Sequence, residues 1–304
     1  MKRTSKSLAL LAGYIVLSGA LVGTLVGAAW LVLGAPAQAA GATWFSVTKI
    51  ESNYTGAPTE PFYFLVLGND GRTNDVNGLG DAIHVIGINP ALHQGTMLNV
   101  PRDTTSPDGD KINASHSIGG LPAMVKQLNQ MMGIKISYAI TTNFPGFIAM
   151  VNELGGIKVN IPKPLNDADG SDAWFDTPGV QRVAGDAALA FARDRHEFTA
   201  GDIDRTYNQG TIILDTLRLL QQRGDTSAGD VVKLISILTS HIKMDNVNIA
   251  ELYRLGRLAL SMDPDAIKNI TIPVGSGVGT NLQIQPDAAA LFADFADDAV
   301  VQSR

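Results

Sequence analysis

The hydrophobic pattern divides the chain into an apolar leader and a long body in which short apolar runs alternate with amphipathic stretches. Residues 8–33 carry no charge and are almost wholly apolar. As a helix this run is long enough to cross a bilayer hydrocarbon core of roughly 30 Å. Lys2, Arg3 and Lys6 precede it and no positive charge follows closely, so residues 1–7 are expected to be a cytoplasmic tail and the body to lie outside the membrane. Ala35, Ala37 and Ala39 also resemble a signal-cleavage site. Cleavable apolar cores usually run to about 7–15 residues, however, so an uncleaved anchor is the expectation. Residues 34–61 are small, polar and punctuated by Gly and Pro, and read as a stalk.

The body, residues 62–304, begins with FYFLVLG (62–68), a bounded apolar run that reads as a buried strand. DAIHVIGIN (81–89) and TMLNV (96–100) predict two more strands, and residues 137–142, 157–161 and 270–274 three further ones. Helical spacing predicts helices at 121–132, 145–154, 184–192, 203–222, 231–240 and 249–260. Alternating strands and helices imply an α/β fold, and the short connections between the first strands imply a mixed sheet. The expected architecture is a central mixed β-sheet covered by helices on both faces, preceded by one transmembrane helix. GSGVG (275–279) lacks the Lys-Ser/Thr ending of a phosphate loop and reads as a hairpin turn.

Composition narrows the function classes. The chain has no cysteine, which removes disulfides, thiolate catalysis and sulfur-ligated metals. Its net charge is −6, and the body is more acidic still once the three N-terminal positives are set aside. A nucleic-acid binder would not have this balance.

Against that acidic background, residues 191–209 (FARDRHEFTAGDIDRTYNQ) concentrate arginine. Arg193 and Arg195 sit two apart, and an extended backbone there points both the same way. Asp202, Arg205 and Gln209 follow at i, i+3 and i+7, one face of a helix. Guanidinium forks match phosphate oxygens, so the ligand suggested is a phosphate or pyrophosphate; a surface ion-pair network is the plainer alternative. Other candidates fall at strand ends, where α/β sheets bind ligands. Asp70 (in GNDGR, 68–72) and Asp81 end neighbouring strands and could share a hard cation such as Mg²⁺, which takes one or two carboxylates plus phosphate oxygens and water. Asp70 could equally serve only its turn. Arg102 in PRD, then Lys111 and Asn113, add cations and an amide. The five histidines show no metal spacing; His84 reads as a satisfied strand residue, while His116 and His196 lie near the candidate motifs.

Taken in order, FLVLGNDGR, DAIHVIGINP, LNVPRDT, KINASHSIGG, NFPGFIAMVNELGGIKVNIP and GVQRVAGDAALAFARDRHEFTAGDIDRTYNQ give the chain a resemblance to the LytR-CpsA-Psr (LCP) family of bacterial envelope proteins. The resemblance runs from about residue 62 to 220. It implies a membrane-anchored enzyme that transfers a phosphate-linked glycopolymer from a polyprenyl-pyrophosphate carrier to a peptidoglycan hydroxyl. It also implies Mg²⁺ at Asp70 and Asp81, pyrophosphate contacts from Arg102, Arg193 and Arg195, and a neighbouring helix carrying Asp202, Arg205 and Gln209. The chain departs from the family pattern at GLGDA (78–82): Leu79 stands where an arginine is common, and Arg72 is the cation available to substitute. That departure leaves a non-catalytic polyprenyl-phosphate-binding scaffold or regulator as the alternative.

Overall fold

The computed structural model describes residues 43–302 except 44, 71–77, 169 and 225–240. The chain divides into two compact units, Met1–Gly41 and Ala42–Arg304, and the described residues belong to the second. The expected membrane helix, the expected helix at 231–240 and Arg72 lie outside the described residues. Among the described residues no helix is long and apolar enough to cross a membrane.

Four strands come first: β1 (Phe45–Lys49), β2 (Phe62–Asn69), β3 (Gly80–Asn89) and β4 (Gln94–Asn99). Helix α1 (Ile112–Met132), β5 (Ile136–Asn143) and α2 (Phe144–Glu153) follow. Two small ribbons come next, formed by β6 (Ile157–Ile161), β7 (Leu165–Asp167), β8 (Ala173–Phe175) and β9 (Gly179–Val183). Then come α3 (Gly185–Arg193), α4 (Asp202–Gly224), β10 (Ile242–Asp245) and α5 (Ile249–Ser261). The chain closes with β11 (Ile267–Thr271), the ribbon β12 (Val274–Ser276) and β13 (Leu282–Ile284), and α6 (Ala288–Asp298).

Seven strands form the central sheet in the order β10-β1-β5-β2-β3-β4-β11. It is mixed, as expected: β2 pairs antiparallel with β3 and parallel with β5, and β4 pairs parallel with β11. Strand β2 shows why helices cover both faces. Its residues are apolar without interruption, so alternate side chains need two cores. Tyr63, Leu65 and Leu67 join Ile83, Val85 and Leu98 beneath α1 and α6. Phe62, Phe64 and Val66 join Ile86, Ile88 and Met97 beneath α4 and α5. A third cluster packs the β6–β9 ribbons against α2, α3 and α4.

Several expectations need correction. The stalk reading fails at residues 45–49, which form β1 inside the sheet, paired with β5 and β10. Only Val47 of that strand is fully buried, so its alternation in sequence was too weak to mark it. The late strand is displaced: β11 ends at Thr271, and Pro273, which has no N–H for a ladder, separates it from β12. The hairpin reading of 275–279 holds, since β12 and β13 pair antiparallel around it. Helix α1 starts earlier than expected and breaks at Gly119 and Gly120, where φ is +65° at Gly120.

Local chemistry sets the helix starts around the third cluster. Asn143 Oδ1 accepts the Gly146 N–H at 2.9 Å and Pro145 occupies the first turn of α2. Helix α3 begins hard against α2: a Cβ at Gly185 would stand 2.4 Å from the Ile148 carbonyl oxygen and 2.8 Å from its Cα. Backbone cannot yield as a side-chain tip can. Gly185→Ala is therefore expected to destabilise the protein by about 1–3 kcal/mol, as overpacking does. Chemical denaturation checks this; an unchanged midpoint would mean that α3 does not rest on α2 in this way.

Candidate active site

The α4-facing side of the sheet changes character along its length. Large apolar side chains fill it at Phe62, Ile86 and Ile88, whereas Gly68 and Ala82, paired across β2 and β3, leave room beneath the helices. The result is a cavity of about 390 Å³ between β2, β3, β5, α2, α3 and α4. Val66, Ala82, Phe147, Leu189, Ile212 and Ile213 supply its apolar wall. Asp81, Arg102, Arg193, Arg195, Arg205 and Gln209 supply its charged and polar side.

A β-bulge aims Asp81. Gly68 pairs with Ala82 and Asn69 with Gly80, so Asp81 is the extra residue opposite that step. Bulges re-aim side chains in this manner beside functional sites. Asp81 Oδ1 receives Arg102 Nη1 at 2.7 Å. The backbone of Arg102 is itself clamped by the start of α1, since the Asn113 N–H donates to the Arg102 carbonyl at 3.2 Å.

Helix α4 brings the second half of the site. Asp202 Oδ1 lies 2.5 Å from Arg205 Nη2 and 3.8 Å from Arg102 Nε. Arg205 is 4% exposed, and its Nη2 also donates to the Asp81 carbonyl at 3.3 Å. Two arginines and two aspartates thus interlock across β3, the turn after β4 and the start of α4. Burial raises the Asp202 carboxyl above its usual range, with Arg205 and then Arg102 pulling it back. Burial likewise lowers Arg205, and Arg102 and Arg195 add repulsion that Asp202 and Asp81 oppose.

Arg193 closes α3, and Asp194 then turns extended at φ −63° and ψ 128°. Both arginines line the cavity, while Asp194 is fully buried between them. Arg193 stacks its guanidinium over Phe144 with 5.2 Å to the ring centre, and Arg195 stands exposed at the mouth. Gln209 Nε2 donates to the Ala192 carbonyl at 2.8 Å, latching the end of α3 to α4.

The remaining candidates separate. Asp70 follows β2 and its N–H donates to the Leu79 carbonyl at 3.3 Å, but its side chain does not line the cavity. Its neighbour Asn69 does. Lys111 and Asn113 also stand outside the cavity lining: Lys111 pairs with Asp103 at 2.7 Å, and Asn113 is buried against Arg102. Sequence reasoning passed over Asn69, Phe144 and Asp167, all of which line the cavity. His84 lies within β3, as expected of a strand residue. Its Nδ1 lies 2.7 Å from Asn99 Oδ1, and Gln209 is its second side-chain partner. Asn69 Oδ1, Arg102 Nε and Arg205 Nε are buried without a hydrogen bond to any described residue. Buried polar groups of this kind are completed by water, an ion or a ligand.

The LytR_cpsA_psr family model matches residues 38–294. The chain belongs to that family. The polyisoprenyl-teichoic acid–peptidoglycan teichoic acid transferase TagV of Bacillus subtilis is 29% identical over 249 residues, which cover 76% of this chain and 62% of the relative. The chain therefore spans less than two thirds of that relative's length. The crystal structure of B. subtilis TagV superposes with a TM-score of 0.66 at 23% identity, covering 81% of this chain and 99% of the other. The LytR-CPS2A-psr family protein YwtF (TagT), solved with a bound octaprenyl pyrophosphate lipid, gives 0.60 at 20% identity over 83% and 96% of the two chains. At these identities the structures establish the shared fold.

Two outcomes test the electrostatics of the site. Arg205→Ala strands the carboxylate of Asp202 in a buried setting and is expected to destabilise the protein by about 3–5 kcal/mol. Arg195→Ala, at an exposed position, is expected to leave the unfolding midpoint unchanged. Equal losses in both would place Arg195 in a structural network instead. The second test concerns His84, which burial pushes down to about 4, with the Asn99 bond opposing and Arg205 adding to the fall. The unfolded state then binds a proton below about pH 6.5 that the folded state refuses until about pH 4. Stability should fall through that window as the solution is acidified, by on the order of 3 kcal/mol for this group. Denaturation of wild type and His84→Leu across pH 4–7 checks it; parallel curves would refute the assignment.

Proposed function

We propose that the protein transfers a phosphate-linked glycopolymer from a polyprenyl-pyrophosphate carrier to a hydroxyl of peptidoglycan. The observation that carries this reading is one cavity with an aliphatic and aromatic wall on one side and Arg102, Arg193, Arg195 and Arg205 on the other. An amphiphile with a doubly phosphorylated head matches both halves. The printed name of TagV and the lipid bound to TagT support the same reading. The membrane-anchored arrangement, with residues 1–7 cytoplasmic, a helix over 8–33 and the body outside the cell, belongs to this proposal and suits a lipid-borne donor.

Mg²⁺ is part of the proposal. Asp81 at the cavity edge, with the buried, unpartnered Asn69 Oδ1 beside it, fits the sparse oxygen set this ion accepts when substrate phosphates and water complete it. Asp81 would hold the ion with Asn69 as a further oxygen, in place of the expected Asp70, whose side chain does not line the cavity. When bound, the ion supplies positive charge to the pyrophosphate oxygens. Among the described residues no group of three His, Cys, Asp or Glu forms a metal cluster.

The chain's own groups account for the rest of the chemistry. Phosphoryl transfer asks a protein chiefly for alignment and charge neutralisation. Arg102, Arg193 and Arg195 would grip the pyrophosphate. Asp202 and Asp81 hold Arg205 and Arg102 in place, and Gln209 fixes the segment carrying Arg193 and Arg195. The acceptor oxygen bonds to the phosphorus attached to the glycan, and the carrier departs as polyprenyl phosphate. Lys111 and Asn113 would act from behind Arg102 by bracing its turn.

The deciding experiment incubates the protein with a polyprenyl-pyrophosphate glycan, Mg²⁺ and peptidoglycan fragments. A phosphodiester-linked product is expected. Arg102→Ala and Arg195→Ala should each lower its rate about 10²–10³-fold, the usual loss for a preorganised charge donor. Lysine at either position should restore only part, because the fork is gone. Tight donor binding with no product under any metal condition would instead support the non-catalytic reading, for which Leu79, 39% exposed just before β3, is the residue to examine.

A further inference from the structure

We propose that His196 and Asp167 form a general-base dyad that takes the proton from the acceptor hydroxyl. The proposal rests on the transferase reading and names the one group that reading leaves open.

His196 Nδ1 lies 2.8 Å from Asp167 Oδ1. Both residues line the cavity that carries Arg193 and Arg195. Their exposures differ as a base and its orienting partner require: the His196 side chain is 53% exposed and that of Asp167 only 5%. Asp167 ends β7, and its second oxygen, Oδ2, accepts the Ser171 N–H at 2.9 Å. Burial opposes its charge, but the bonds from His196 and Ser171 hold the carboxyl below its usual range. An ionised carboxylate only accepts hydrogen bonds, so Nδ1 carries the proton and Nε2 presents a lone pair. Nε2 bonds to no described residue, and its ring stands at the mouth, where an acceptor sugar would approach.

The turn between β7 and β8 is shaped around this pair. A Cβ on Gly170 would lie 2.4 Å from His196 Nδ1 and 2.5 Å from Asp167 Oδ1. Only glycine lets that turn close over the hydrogen bond. The other carboxylates of the site are engaged elsewhere: Asp81 with Arg102, and Asp202 with Arg205.

In the step proposed, the acceptor O–H proton passes to His196 Nε2 as the acceptor oxygen bonds to the glycan-bearing phosphorus. The bond from that phosphorus to the bridging oxygen breaks, and its electron pair leaves with polyprenyl phosphate. Asp167 stabilises the imidazolium, which later returns its proton to solvent. The charged groups around the ring are Asp167 from β7, Asp194, Arg195 and Glu197 from its own loop, Lys163 paired with Glu197 at 3.3 Å, and Arg193 at the end of α3.

The test uses the full chain in wild-type form and as His196→Gln, Asp167→Asn and Gly170→Ala. It measures the rate of transfer, its pH profile, donor affinity and melting temperature. His196→Gln is expected to lower kcat about 10²–10⁴-fold with donor affinity and melting temperature unchanged, and to remove the acid limb of the profile. Asp167→Asn should lower kcat with donor affinity unchanged, because the ring loses the carboxylate that orients it. Gly170→Ala should lower kcat with both groups still present. A His196→Gln protein with wild-type kcat and an intact acid limb overturns the dyad and leaves the transferase reading standing. Loss of activity that tracks weakened donor binding also overturns it, assigning His196 to the donor. Wild-type protein that binds donor and yields no product overturns the transferase reading, and with it the reaction the dyad would serve.

Discussion

The site depends on a positive charge buried beneath a helix. Arg205 sits almost wholly inside the protein, and a lone guanidinium there would be prohibitive. Asp202, one turn earlier on the same helix, and the carbonyl of Asp81 neutralise and bond it. Arg102 then shares both aspartates. The network therefore pins α4 to the ends of β3 and β4 and sets the width of the cavity between helix and sheet. Charge is held in place before any ligand arrives, which is the condition under which it stabilises a developing anion most.

The apolar half follows from a change of side-chain size along one sheet face. Register places Gly68 against Ala82 and Val66 against His84, one step from the large residues that fill the rest of that face. Two small residues opposite each other subtract volume that a helix lying on large neighbours cannot collapse to recover. The same helix thus seals the core at Leu214 and roofs the cavity at Ile212 and Ile213. Packing and binding surface are adjacent stretches of one interface.

Much of this was legible in sequence because strong signals coincided with strong constraints. Strands β2 to β4 are dense apolar runs, and Asp202, Arg205 and Gln209 lie on a helical face whose period is visible in the letters. What escaped was set by tertiary context. Strand β1 has one fully buried residue and exists because β5 and β10 offer edges to pair with. Helix α6, which closes the core with Leu291, Phe292 and Phe295, carried no motif. In the site, Asp70 drew attention in place of Asn69, since spacing along a strand end cannot say which of two neighbours reaches the cavity. Asp167 was invisible because its partner is 29 positions away, across two ribbons and a helix.

That last separation bears on how the two ends of the cavity divide the chemistry. Arg102, Arg205, Asp81 and Asp202 are fixed by the central sheet and α4, and their mutual bonds leave them little freedom. His196, Arg195 and the turn at Gly170 belong to the loop after α3 and the β7–β8 ribbon, which rest on the third cluster instead. Gln209 joins the two parts, because it stands on the rigid helix and bonds the backbone just before Arg193. A donor gripped by Arg102 from one part and by Arg193 and Arg195 from the other would thus bridge a seam whose geometry one amide controls. Loss of that amide should therefore loosen the hold on the donor while the fold stands, whereas loss of Arg205 should damage the fold and function together.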